Sequence, residues 1–347
     1  MNRFKLVALV AIMGVGVGVF FMIQFYRVFL WDNTAFQSEK HIVFIDRDDN
    51  MDSLLLQLGP YLKSTPNFWL AAQKKGYVSN IKSGKYTLTS GMGNNQIINT
   101  LRSGAQVVQV TFNNQERIEN LAGRVAAQLE ADSLELLQAF YDSTFLKQKG
   151  FNKESAMSLF LPNTYDFYWN VSPVAFRDKI WQYYHYFWNE SRRKKAQNIG
   201  LSLQDVSVLA SIVQKETNQN EEYARVAGVY LNRLKRRMKL QADPTVVFAL
   251  KKVRQDFDLV IKRVLLKDLK VDSPYNTYKY YGLPPGPITM PDLQVIDAVL
   301  NAEQHSYLYF VVNPKKPGYH LFARTLQEHN KNRIKYTQWL NKNRVFR

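Results

Sequence analysis

The chain has 347 residues, 46% of them hydrophobic, and a net charge of +17. That content supports two or three packed domains and excludes a disordered chain. There is no cysteine, which excludes disulfides and thiolate metal sites, and the five histidines show no zinc-hydrolase spacing. The positive balance suits acidic partners: nucleic acid, anionic headgroups or an acidic wall polymer.

Residues 6–26 are almost wholly apolar. At about 1.5 Å per residue, such a run spans about 30 Å, the thickness of a bilayer core. It continues through Tyr26, Phe29 and Trp31 without a small-x-small cleavage site, so a retained anchor is expected rather than a signal peptide. Arg3 and Lys5 precede it and place the N-terminus in the cytoplasm. Gly14 and Gly18 form a small-xxx-small pair suited to helix packing. Residues 41–47 read as a strand. Residues 51–58 read as a helix capped by Asn50 or Asp52 and stopped at Gly59-Pro60. A helix over 68–75, a strand ending near Leu88 and a helix over 94–102 closed by Gly104 follow.

Residues 106–112 are β-rich. Ile118, Leu121, Val125 and Leu129 mark one face of a helix over 118–130, and residues 133–140 form another. The rings of Tyr165, Phe167, Tyr168 and Trp169 read as core or as a sugar-stacking surface. A single long helix is expected over 176–197.

Ser202, with Asp205 three residues on, is a capping-box pattern. Val206, Leu209 and Val213 then fall on one helical face, with Glu216 at its edge. A carboxyl there is partly desolvated, which favours its protonated form and suits a general acid. The bland alternative is a solvated glutamate at a helix end. A second helix over 222–238 makes a hairpin that leaves Glu216 at its open end, with Glu221 and Glu222 read as exposed residues of the first turn. Asp243-Pro244 has the form of an N-cap followed by proline at N1. In Tyr275-Asn276-Thr277-Tyr278, rings flank hydrogen-bonding groups, a pattern that suits sugars. Pro284 and Pro285 stiffen the loop 282–287 into a candidate cleft wall. A helix over 292–302 and an antiparallel strand pair, 307–312 with 319–323, close the chain. His329 reads as a surface histidine or a support to the site.

Ala-Ser-Ile-Val-Gln-Lys-Glu-Thr (210–217), Leu-Gln-Ala-Asp-Pro-Thr-Val (240–246), Tyr-Asn-Thr-Tyr (275–278) and Gly-Leu-Pro-Pro-Gly-Pro-Ile (282–288) occur in this order. Together they resemble the signatures of the YceG/MltG family of endolytic murein transglycosylases. His320, Phe322, Thr325, Glu328, His329 and Asn330 resemble its closing segment. The chain departs from the family pattern at Gln214, where a second glutamate is usual, at Asn163, where aspartate is usual, at Met157-Ser158 and at Met290-Pro291-Asp292.

The resemblance implies an α+β fold: a transmembrane anchor (1–31), a small LysM-like β/α module (41–106), a connecting helical region (107–200) and a catalytic domain (201–347) with a helical hairpin and a short antiparallel sheet. It implies Glu216 as the catalytic acid, with Gln241, Asp243, Tyr275, Asn276, Thr277, Tyr278, Pro284 and Pro285 about the substrate. Peptidoglycan strands are the expected substrate, membrane peptidoglycan synthases the candidate protein partners, and the inner membrane the site, with the bulk of the chain periplasmic. The implied reaction breaks the MurNAc–GlcNAc β-1,4 bond without water. One carboxyl serves as acid and then base, 1,6-anhydro ends form, and no metal or cofactor takes part. The rivals are a two-carboxylate muramidase, with Asp243 as the second group, and a non-catalytic wall-binding anchor. Nucleic acid is not expected, since no nucleic-acid module accompanies the charge.

Overall fold

A computed structural model describes residues 3–342. Residues 1–2 and 343–347, the last five of the expected catalytic segment, lie outside the described residues, as does the side chain of Arg3. Packing groups the chain into two units. The first comprises residues 1–110, 128–131 and 165–172; the second comprises 111–127, 132–164 and 173–347.

The first unit opens with helix α1 (Arg3–Phe25). Within the apolar run Phe4–Leu30, the most apolar 18-residue stretch has a mean hydropathy of 2.7 and is unburied. Gly14 and Gly18 have open space around them. A π turn (Tyr26–Leu30) follows, whose Val28 enters the core of the unit. Then come β1 (Lys40–Ile45), α2 (Met51–Leu58), α3 (Thr65–Lys74), β2 (Gly84–Thr89), α4 (Asn94–Ser103) and β3 (Val107–Phe112). Strands β1 and β2 pair antiparallel, with Val43 opposite Tyr86. Strand β3 pairs with β4 (Asn163–Tyr168). The alternation of β2 buries Tyr86 and Leu88 against Leu54, Leu58, Phe68, Ile97 and Leu101. Each such side chain contributes about 1.5–3 kcal/mol by leaving water.

The junction with α1 is tight. Asn94 donates to the Val28 carbonyl at 2.7 Å, and Asn33 donates to Asn94 at 2.6 Å. A Cβ on Gly93 would meet the Leu30 carbonyl oxygen at 2.5 Å, so only glycine fits there.

The second unit is mainly helical: α5 (Ile118–Ala126), α6 (Ser133–Phe140), α7 (Ser143–Gln148), α8 (Pro173–Phe187), α9 (Glu190–Ile199), α10 (Leu203–Glu216), α11 (Tyr223–Lys235), α12 (Asp243–Arg254) and α13 (Leu293–Leu300). The antiparallel pair β5 (Tyr309–Val312) and β6 (His320–Ala323) precedes α14 (Leu326–Lys342). The hub is α10, which packs on α9, α11, α12 and α13. Its residues Val206–Val213 are all buried. The fold is thus mixed α+β, with an N-terminal apolar helix and short two-stranded sheets.

Several expectations need correction. The single helix over 176–197 is two: α8 stops before the buried Trp188, and Asn189 caps α9 by accepting from the Arg192 N–H. The extended backbone of Asn189 (φ −66°, ψ 173°) ends the first helix before the basic run. Glu222 is not an exposed first-turn residue. It is 3% exposed and accepts from the backbone N–H of His320 at 2.9 Å, with the His320 ring nitrogen at 2.8 Å. Tyr165 and Phe167 are core, whereas Tyr168 points outward, as the alternation of β4 requires.

Candidate active site

Helix α10 starts with the capping box expected of Ser202 and Asp205 and ends at Glu216. Its apolar face fixes the helix in the core, so its last residue is delivered to a defined place. The Tyr230 hydroxyl on α11 donates to Glu216 Oε1 at 2.7 Å. Tyr230 is buried, which pushes its phenol up and keeps it a donor. Glu216 is only partly exposed. Burial pushes its carboxyl up to about 7; the Tyr230 hydrogen bond and the Arg233 charge oppose the rise, and the negative charge of Asp243 adds to it.

Two cavities meet at Glu216 and Asp243. One, of about 490 Å³, is lined by Tyr230, Arg233, Gln241, Tyr278, Tyr309 and His329 among others. The other, of about 510 Å³, is lined by Lys215, Val247, Lys251, Lys262 and Ile288 among others. The Glu216 carboxyl thus borders both cavities.

The neighbouring residues hold this arrangement. Arg233 is buried and donates to the carbonyls of Leu308, Lys239 and Leu240 and to Gln241 Oε1. Gln241 sits at φ 50°, a left-handed conformation that costs about 1 kcal/mol or more for a non-glycine residue. Its N–H donates to the Thr277 carbonyl at 3.1 Å. Asp243 is not an N-cap. Helix α12 begins at Asp243 itself, Ala242 stands at the cap without a side-chain bond, and Pro244 supplies the fixed φ. The Asp243 carboxylate is free of capping and accepts from the Tyr278 hydroxyl at 2.5 Å.

The expected site residues divide in two. Glu216, Gln241, Asp243 and Tyr278 line the first cavity. Asn276 and Thr277 are buried and bind protein. Asn276 donates to the Leu269 and Val271 carbonyls, and Thr277 Oγ1 accepts from the Ala242 N–H. Tyr275 is buried on Phe248 and lines a third cavity, of about 280 Å³, instead. Pro284 is buried, Pro285 is exposed, and neither lines the cavities at Glu216. Their loop is fixed by Gly286, where any Cβ would overlap the Glu154 carbonyl.

Tyr230, Arg233 and His329 are the residues that sequence reasoning underweighted. Tyr230 lies fourteen positions after Glu216 across the hairpin, a pairing that only the packing of α10 on α11 reveals. His329 stacks on Tyr309, its Nδ1 is buried, and burial with nearby Arg333 and Arg233 holds its ring below the usual histidine range. Gln214 turns away from the cleft: its amide donates to Asp292 Oδ2 and accepts from the Asp292 N–H, tying α10 to the start of α13. Among the described residues no cluster of metal-ligand type occurs.

Residues 43–335 match the model of the YceG-like family, and the chain belongs to that family. It is 32% identical over 305 residues to an endolytic murein transglycosylase of Bacillus subtilis, an alignment spanning 81% of this chain and 80% of the relative. A protein of the same name from Streptococcus pneumoniae is 35% identical over 132 residues, which is 38% of this chain and 23% of that one. A crystal structure of a yceG-like protein from Listeria monocytogenes superposes with a TM-score of 0.56 at 27% identity, covering 84% of this chain and 98% of that one.

Proposed function

We propose that the protein is a membrane-anchored endolytic lytic transglycosylase that cuts the MurNAc–GlcNAc β-1,4 bond of peptidoglycan, leaves 1,6-anhydro ends and limits the length of new strands. The enzyme class follows from the family and its named relatives. The observation that carries the mechanism is a carboxyl pushed up to about 7, donated to by a buried tyrosine and open on two sides. Such a group is protonated often enough near neutral pH to give its proton to the glycosidic oxygen. Once ionised, it takes the proton of the muramoyl C6 hydroxyl as that oxygen attacks C1. The Tyr230 hydroxyl steadies the carboxylate between the two steps. The paired cavities support cutting within a strand.

Gln241, Asp243 and Tyr278 bind and orient the sugars in this reading. The unburied apolar helix supports a single-pass anchor in the inner membrane, with the N-terminus cytoplasmic and the globular part periplasmic. The strand–helix–helix–strand order of the first unit supports a LysM-like role on N-acetylglucosamine polymers. Membrane-bound peptidoglycan synthases are the protein partners that such a location favours.

Asp243 gives the two-carboxylate hydrolase its one specific support, because it is free of capping and acts on Glu216 through its charge. Digestion of purified sacculi in heavy-oxygen water separates the two. The transglycosylase gives unlabelled 1,6-anhydro ends, lighter than hydrolysed ends by one water. Label at the new reducing end overturns that reading in favour of a hydrolase.

A further inference from the structure

The two cavities that share Glu216 differ in their linings. One presents the rings of Tyr278, Tyr309 and Phe310, which suit the flat faces of sugars, together with Arg333 and with Arg233, whose guanidinium is committed to backbone carbonyls. The other is lined by the apolar Val247, Phe248, Val264 and Ile288 together with Lys215, Lys251, Lys262 and Arg263, and by the carboxyl of Glu116 besides Glu216 and Asp243. A pyranose supplies nothing that calls for this charge. Lys251 is committed to Glu116, with both carboxylate oxygens at 3.0 Å. Asp243 is committed to the Tyr278 hydroxyl. Lys215 and Lys262 are exposed and have no ion pair among the described residues. Two such ammonium groups in one cavity with apolar side chains match an amino-acid chain with carboxylates and methyl side chains.

We propose that the cavity under Lys215 and Lys262 is a subsite for the carboxylate-bearing peptide carried by muramoyl residues, so that the enzyme selects peptide-bearing strands over denuded ones. This rests on the transglycosylase reading above and adds to it which strands are recognised.

The test is a binding comparison with the full chain in detergent, carrying Glu216→Gln so that strands are not cut. Three uncrosslinked strands are offered: intact, amidated with carbodiimide and ammonia so that the peptides remain without carboxylates, and stripped of peptide by an amidase and then amidated in the same way at the lactyl carboxylates that this cut exposes. Intact strands should bind about tenfold more tightly than either of the others, with a preference that fades as salt rises. Adding Lys215→Gln and Lys262→Gln should abolish the preference, and arginine at both positions should restore it. Equal binding of intact and amidated strands, or a preference that survives loss of both lysines, overturns the proposal. Failure of the wild-type protein to cut any strand would instead refute the transglycosylase reading, and the binding comparison would stand apart from it.

Discussion

At Glu216, burial and neighbouring charge act on one proton, and substitutions should separate their effects. Glu216→Gln should lower turnover on sacculi by at least about a hundredfold, because no other group replaces the acid. The same change should stabilise the fold above neutral pH. The native carboxyl holds its proton up to about 7, whereas the unfolded one releases it near 4.5. The native state therefore binds more protons in that window, and its stability falls as pH rises through it. Removing the titration should recover up to about 3 kcal/mol at pH 8 and little at pH 4, read as melting temperature against pH. Undiminished activity in this variant would sink the assignment. Two neighbours should move the alkaline limb of the pH–rate profile in opposite directions. Asp243→Asn removes a charge that raises the Glu216 carboxyl, so the limb shifts to lower pH. Tyr230→Phe removes a bond that lowers it, so the limb shifts to higher pH. Parallel shifts would refute this electrostatic picture.

Among the elements, α10 is held at both ends, by its capping box and by Gln214 against Asp292. The amide suits that position because it can donate to a carboxylate and accept from a backbone N–H at once. Gln214→Glu should place two carboxylates together and destabilise the protein by about 1–3 kcal/mol, with Asp292→Asn reversing most of the loss in a double-mutant cycle followed by denaturant melts. An additive cycle would mean that the pair does not interact. Much of this helix is legible in the sequence, since cap, apolar stripe and terminal carboxyl follow helical spacing. The pairing of Glu216 with Tyr230 is not legible, because it depends on how two helices pack. The Asp243 motif misleads for another reason: the Pro244 that reads as following a cap already stands within the first turn, so the helix takes in Asp243 and frees it for Tyr278. Asn276 and Thr277 look like sugar ligands by type, yet Asn276 is used in holding the 269–271 segment and Thr277 in holding the 240s turn.

For the whole molecule, membrane attachment gives a prediction of location. The protein should fractionate with the inner membrane, and protease added to spheroplasts should digest its globular part; protection of that part would reverse the proposed orientation. The proposed anchor also has a mechanical side. The chain leaves α1 through a π turn whose Val28 is in the core and whose Leu30 carbonyl lies against Gly93, so the first unit has no slack leash. Spinning the apolar helix about its axis must spin the first unit by the same angle. In the proposed topology, a protein that gripped one side of that helix within the lipid would set the azimuth at which the unit faces the wall, converting a contact inside the bilayer into a compass bearing outside it.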